Sequence, residues 1–145
     1  MTFRVHGRPI PQGSMKGFIA KGRAGQSYVA LTSANTKTEP WRQEVAAAAL
    51  KAKVPHIALG GVRIAIVFHM PRPSSRPKRF TVPDKRPDLD KLVRAILDAL
   101  TSIAFRDDAQ VCDLRASKVY SRWVGAVITL TPLAGAVAAP VEAEA

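Results

Sequence analysis

The stretch Arg86 to Asp108, RPDLDKLVRAILDALTSIAFRDD, concentrates carboxylates in an otherwise basic chain. All seven aspartates fall between Asp84 and Asp113, and the remaining acids are Glu39, Glu44, Glu142 and Glu144. Two acidic pairs stand out, Asp88 with Asp90 and Asp107 with Asp108. Carboxylates that converge repel one another unless a cation neutralises them, and hard oxygen ligands select Mg²⁺, with Mn²⁺ as the substitute ion, over zinc. Such a site activates water and stabilises the extra charge of a phosphodiester transition state. Basic side chains around it would hold the anionic backbone that the carboxylates alone repel.

Convergence depends on the elements that carry these residues. Leu89, Leu92, Val93, Ile96, Leu97 and Leu100 recur at helical spacing, which predicts a helix with one apolar stripe packed on a sheet and with Asp90, Lys91, Arg94 and Asp98 opposite. Asp88 follows Pro87 and falls at the N-cap, with Asp90 in the first turn. Both acids then satisfy free N–H groups and the helix dipole, and Asp90, Arg94 and Asp98 form an i, i+4 ladder, so a structural reading of Asp88 and Asp90 stands beside the metal-binding one. Asp107 and Asp108 lie in a turn before a strand at Val111 to Tyr120, followed by a tight turn near Ser121 and a closing strand from Trp123 to Leu130. A helix and a strand returning beside it would separate the two acidic pairs by roughly 15 Å. Either the link from Leu100 to Arg106 carries the chain back along the helix, or the acids meet across a subunit boundary, or they do not meet.

The rest of the chain sets the context. With 145 residues and 47% hydrophobic content, the sequence supports one domain with a real core, placed at residues 1–132, and a small, proline-interrupted, frayed tail at 133–145. Twenty-two Lys and Arg against eleven Asp and Glu give a formal net charge of +11, the balance of a surface that meets a polyanion, with nucleic acid as the leading partner. No apolar run is long enough to span a membrane, no basic amphipathic helix carries bulky anchors, and no signal-peptide layout is present, so a cytoplasmic protein is expected. Phe3 to Val5 open a strand that leads into a basic loop containing Lys16. Residues Thr36 to Lys53 read as a helix with Thr38 at the N-cap, and Val62 to Met70 as a central strand. The segment from Pro71 to Pro87 carries five prolines together with Arg72, Arg76, Lys78, Arg79, Lys85 and Arg86, which predicts a mobile basic loop in contact with phosphates. The single cysteine, Cys112, excludes an intrachain disulfide and is expected to be a small buried residue. His6, His56 and His69 share no metal-ligand spacing, and Trp41 and Trp123 are expected in packing. The expected fold is a single α+β domain in which two main helices pack on a mixed, mostly antiparallel sheet of four or five strands.

The run RPDLDKLVRAILDALTSIAFRDDAQVCDLRASKVY resembles the signature of RusA-type Holliday junction resolvases, with Asp-Leu-Asp at a helix start and Asp-Asp-x-Gln-Val ahead of a strand. The similarity is clear from Val62 to Leu130 and looser before it. It implies a homodimeric, Mg²⁺-dependent endonuclease, of the kind often encoded by phages and prophages, that cuts four-way DNA junctions symmetrically. It also implies that Asp88, Asp90 and Asp108 are the metal-binding, catalytic aspartates and Asp107 the less essential neighbour. Lys91 stands where the family usually has Asn, and Arg94 where it usually has a functionally important Lys. Arg94 neutralises phosphate but is a poor proton donor or acceptor at neutral pH, which leaves Lys91 as its substitute. Two other readings fit the charges: a metal-dependent nuclease acting on flaps or RNA, and a non-catalytic nucleic-acid-binding protein whose aspartates are all caps or ion-pair partners.

Overall fold

The computed structural model describes residues 1–13, 15–33 and 37–140, and of residues 15–18 and 30–33 only the backbone. The strands are β1 (Thr2–His6), β2 (Met15–Lys21), β3 (Ser27–Ser33), β4 (Ile57–Leu59), β5 (Val62–Met70), β6 (Val111–Tyr120), β7 (Gly125–Pro132) and β8 (Val137–Ala138). The helices are α1 (Thr38–Lys51) and α2 (Leu89–Leu100), with a single 3-10 turn at Asp108–Gln110. The main sheet has four strands in the order β1-β7-β5-β6. Only β5 and β6 run parallel; β7 is antiparallel to both β1 and β5. This is the expected α+β domain.

Strand alternation decides which face is covered. In β5 the residues Val62, Ile64, Ile66, Phe68 and Met70 are buried, while Arg63, Ala65, Val67 and His69 are exposed or half-buried. Branched and aromatic residues on one face of a pleated strand present a continuous apolar surface, and both helices pack against it. α1 contributes Trp41, Val45 and Ala49, and α2 contributes Leu92, Ala95, Ile96 and Leu100. Phe3, Val5, Ala126, Ile128 and Leu130 complete the core from β1 and β7. Among the described residues no helix is long and apolar enough to cross a membrane.

Several local expectations change under tertiary contact. The basic stretch after β1 contains a second hairpin, β2–β3, with Met15 opposite Ser33 and Lys21 opposite Ser27. Lys16 lies on β2, and its side chain is outside the described residues, as is Thr36. Thr38 does not cap α1: Lys37 holds that position, and the Thr38 hydroxyl donates to the Pro11 carbonyl at 2.8 Å. Cys112 is exposed rather than buried. A register shift between Val62 and Arg63 leaves it opposite no residue of β5, and its thiol turns back to the Gln110 carbonyl.

The domain also continues past residue 132. Leu133 N–H donates to the Gly61 carbonyl, β8 pairs with β4, and Ala139 N–H donates to the His56 carbonyl. The expected tail beyond residue 140 is outside the described residues. This closure depends on Gly60, where φ is +92° and an added Cβ would lie 2.6 Å from the Ala136 Cα. Gly135, at φ +84°, has open space around it. Gly60→Ala should therefore destabilise the protein by about 1–3 kcal/mol and by more than Gly135→Ala, because a backbone clash adds to the same left-handed strain. Urea unfolding midpoints check this, and equal midpoints would show that β8 does not pack closely on the β4–β5 turn.

Candidate active site

Parallel pairing of β5 and β6 fixes where the acids lie. After β5 the chain must return to the start of the sheet before β6 can begin, and α2 makes that return. Asp88 and Asp90 thus sit at the end of the sheet where β5 finishes, and Asp107 and Asp108 sit where β6 starts. The 12 residues of α2 set those ends about 18 Å apart. Residues 101–106 do not bring the chain back: Ile103 and Ala104 N–H bond to Leu100 and Ser102 N–H to Phe105, a compact turn at the helix end. Among the described residues no three His, Cys, Asp or Glu side chains are grouped to hold a metal ion. One chain alone therefore does not fit the Mg²⁺ site that the resemblance implies.

The acids are nevertheless joined by a groove of about 690 Å³ between α2 and β6, lined by Asp90, Arg94, Asp98 and Asp108 together with Leu89, Val93, Leu97, Leu114 and Ala116. The expected apolar stripe thus divides. Leu92, Ile96 and Leu100 enter the core, whereas Leu89 and Leu97 are half-buried beside the groove, and Leu114 is 46% exposed. The Asp90–Arg94–Asp98 ladder does not form; among the described residues the ion pairs on α2 reduce to Asp88 with Lys91, at 3.8 Å. Asp88 occupies the N-cap, but its side chain makes no capping hydrogen bond. Asp90 keeps its first-turn place, where the helix dipole favours it, but no ion pair within the helix accounts for Arg94 and Asp98, and all three line the groove.

Asp107 and Asp108 have different environments. The Asp107 carboxylate accepts from Ala109 N–H at 2.9 Å and caps the 3-10 turn. Asp108, one residue on, is exposed with its carboxylate unpartnered. The turn itself is held by Gln110, a residue the sequence reading passed over. Its Oε1 accepts from Arg106 and Asp107 N–H at 2.9 and 3.0 Å, and its Nε2 donates to the Ile57 and Gly60 carbonyls at 3.1 and 3.0 Å. All four places on the amide are used, and they tie Asp108 to the β4–β5 turn. The Asp-Asp-x-Gln spacing was the available signal, since Gln at N3 completes a capping box.

The segment between β5 and α2, expected to be mobile, is folded around two of its arginines. Arg72 donates to the carbonyls of Phe80 and Pro77 at 2.9 Å, and its guanidinium lies 5.0 Å from the Tyr120 ring centroid. Arg76 pairs with Asp84, stacks 3.9 Å from the Phe80 centroid and is only 13% exposed. Lys78, Arg79, Lys85 and Arg86 remain exposed. Lys118 of β6, also overlooked from sequence, donates to the Lys85 and Pro87 carbonyls at 2.9 Å and so holds the approach to Asp88. Gln12 N–H donates to the Lys91 carbonyl, which brings Arg8 and its loop to the same end of α2.

An α+β domain with unpaired carboxylates along one groove and a folded basic segment at one end of it has the layout of an enzyme that works on a nucleic-acid backbone. The family model described as Endodeoxyribonuclease RusA matches residues 8–131, and the chain belongs to that family. A similar protein is YqaN of Bacillus subtilis (strain 168), described as uncharacterized, which is 31% identical over 131 residues, 83% of this chain and 88% of that protein.

The two neighbouring aspartates should separate in stability measurements. Asp107→Ala should cost about 1 kcal/mol through loss of the cap, and Gln110→Leu about 2–4 kcal/mol because four backbone groups lose partners. Asp108→Asn should change stability by less than about 0.5 kcal/mol, as an exposed side chain without partners. Denaturant unfolding of the three variants checks the order.

Proposed function

We propose that the protein is a Holliday junction resolvase, an endodeoxyribonuclease that cuts four-way DNA junctions as a Mg²⁺-dependent homodimer in the cytoplasm of a bacterial or phage-infected cell. The observation that carries this reading is the placement of unpaired carboxylates at opposite ends of one apolar-lined groove in a member of the RusA family. A second copy laid along the groove about a two-fold axis runs antiparallel to the first. The Asp88–Asp90 end of one subunit then faces the Asp108 end of the other, and Leu89, Leu97 and Leu114 are covered. Each site would take Asp88 and Asp90 from one subunit and Asp108 from its partner copy. Bound there, Mg²⁺ would supply an activated water and neutralise charge on the phosphodiester.

The chain's own residues have separate tasks in this reading. Arg94 faces the groove and neutralises phosphate, and Lys91 balances Asp88. Lys78, Arg79, Lys85 and Arg86 hold the strand, whereas Arg72 and Arg76 shape the segment that presents them. Two like sites related by a two-fold suit a four-way junction, where two strands of like polarity must be cut. A flap or RNA nuclease would not require the pairing of sites.

Mixing two inactive variants tests the arrangement. Asp90→Asn and Asp108→Asn should each abolish cutting and leave junction binding largely intact. In a mixed dimer one site loses both residues and the other regains both, so the mixture should nick a labelled four-way junction in Mg²⁺ once per complex. No activity in the mixture, with dimers verified by sedimentation, would place each site within one chain.

A further inference from the structure

A small pocket lies at the end of α2 opposite Asp108, away from the groove. It measures about 90 Å³ against about 690 Å³ for the groove, and so admits a phosphate-sized group and not a length of duplex. Its walls are apolar and stiff: Met70, Pro71, Pro73, Pro83 and Pro87. Its polar lining consists of Arg8, Arg76, Lys85, Arg86, Lys118 and Tyr120, with five cations and no acid. Asp84 pairs with Arg76 alone, which leaves four cations of the lining without an acid partner, so the lining is complementary to an anion.

Two side chains add an observation independent of charge. The Lys118 ammonium has three N–H groups; two bond to the Lys85 and Pro87 carbonyls, which leaves one for a ligand. Arg76 is held by Asp84 and Phe80, yet its buried Nε–H has no acceptor. A buried donor without a partner costs about 1–3 kcal/mol, and the residue that bears it lines this pocket.

We propose that this pocket, with Lys118 at its floor and Arg8 at its rim, binds one backbone phosphate of the DNA strand and sets the register of that strand against Asp88. The inference rests on the nuclease reading above and adds to it a defined subsite, distinct from contacts along an exposed basic segment. Register follows from covalent connection: Lys118 binds the carbonyl of Pro87, the residue before the N-cap Asp88, so a phosphate held by Lys118 is fixed relative to that carboxylate.

The test uses junctions in which a single phosphate near the cut is replaced by an uncharged methylphosphonate, one position at a time, with affinity measured in Ca²⁺. Wild-type protein should lose about tenfold at one position on the cut strand and little at its neighbours. In Arg8→Ala and Lys118→Met the same replacement should cost less than twofold, because the contact is already gone. Arg8 is exposed and makes no hydrogen bond, ion pair or ring contact among the described residues, so its variant remains informative if Lys118→Met fails to fold. Equal losses in wild type and variants at every position would overturn the subsite while leaving junction binding in place. Failure of the wild-type protein to bind the unmodified junction would overturn the nuclease reading and the subsite with it.

Discussion

The parallel pairing of β5 with β6 is the constraint on which the other features depend. Parallel neighbours need a crossover, and here the crossover is a folded basic segment followed by α2. The helix must therefore run against both strands, which puts its N-terminal acids at one end of the sheet and the Asp107–Asp108 turn at the other. The same geometry leaves a groove between α2 and the edge strand β6, beyond which no further strand lies among the described residues. In the proposed dimer, a two-fold-related copy would bring together the carboxylates that one chain holds apart along the groove.

Rigidity at the two ends comes from polar contacts rather than from the core. Gln110 fastens one acidic turn to the β4–β5 turn, and Lys118 fastens the residues before Asp88 to β6. Arg72 and Arg76 organise the proline-rich segment through carbonyls, an aspartate and aromatic faces. The basic composition thus divides into cations that build the frame and cations left exposed on it. Asp107 and Asp108 divide in the same way, one capping and one unpartnered, as do Asp113, paired with Arg63 at 2.7 Å, and Asp98, half-buried beside the groove.

Much of the fold was legible because it rests on local pattern. The α2 and β6 limits follow from periodicity, and the mixed sheet with two helices is as expected. What escaped depends on partners distant in sequence. Thr38 bonds to Pro11 instead of capping its helix, the β2–β3 hairpin is hidden among glycines and prolines, and Cys112 is exposed because of a register shift. The acids themselves were legible from Asp-Leu-Asp and Asp-Asp-x-Gln, and a simple helix return already set them roughly 15 Å apart, but whether the link to Arg106 undid that separation was not legible. The separation follows from strand direction, which pairing across more than forty residues decides. The capping half of Gln110 was readable from Asp-Asp-x-Gln, but nothing near Gln110 or Lys118 in sequence reveals the distant carbonyls they hold.

The account stands on the claim that the metal site is made by two subunits. Its most direct test is Mn²⁺ uptake by the protein without DNA, followed by the loss of the free-ion electron paramagnetic resonance signal across a dilution series in which sedimentation gives the dimer fraction. Uptake should rise and fall with the dimer and be lost in Asp90→Asn. Tight uptake by the monomer, at an affinity independent of protein concentration, would contradict the account.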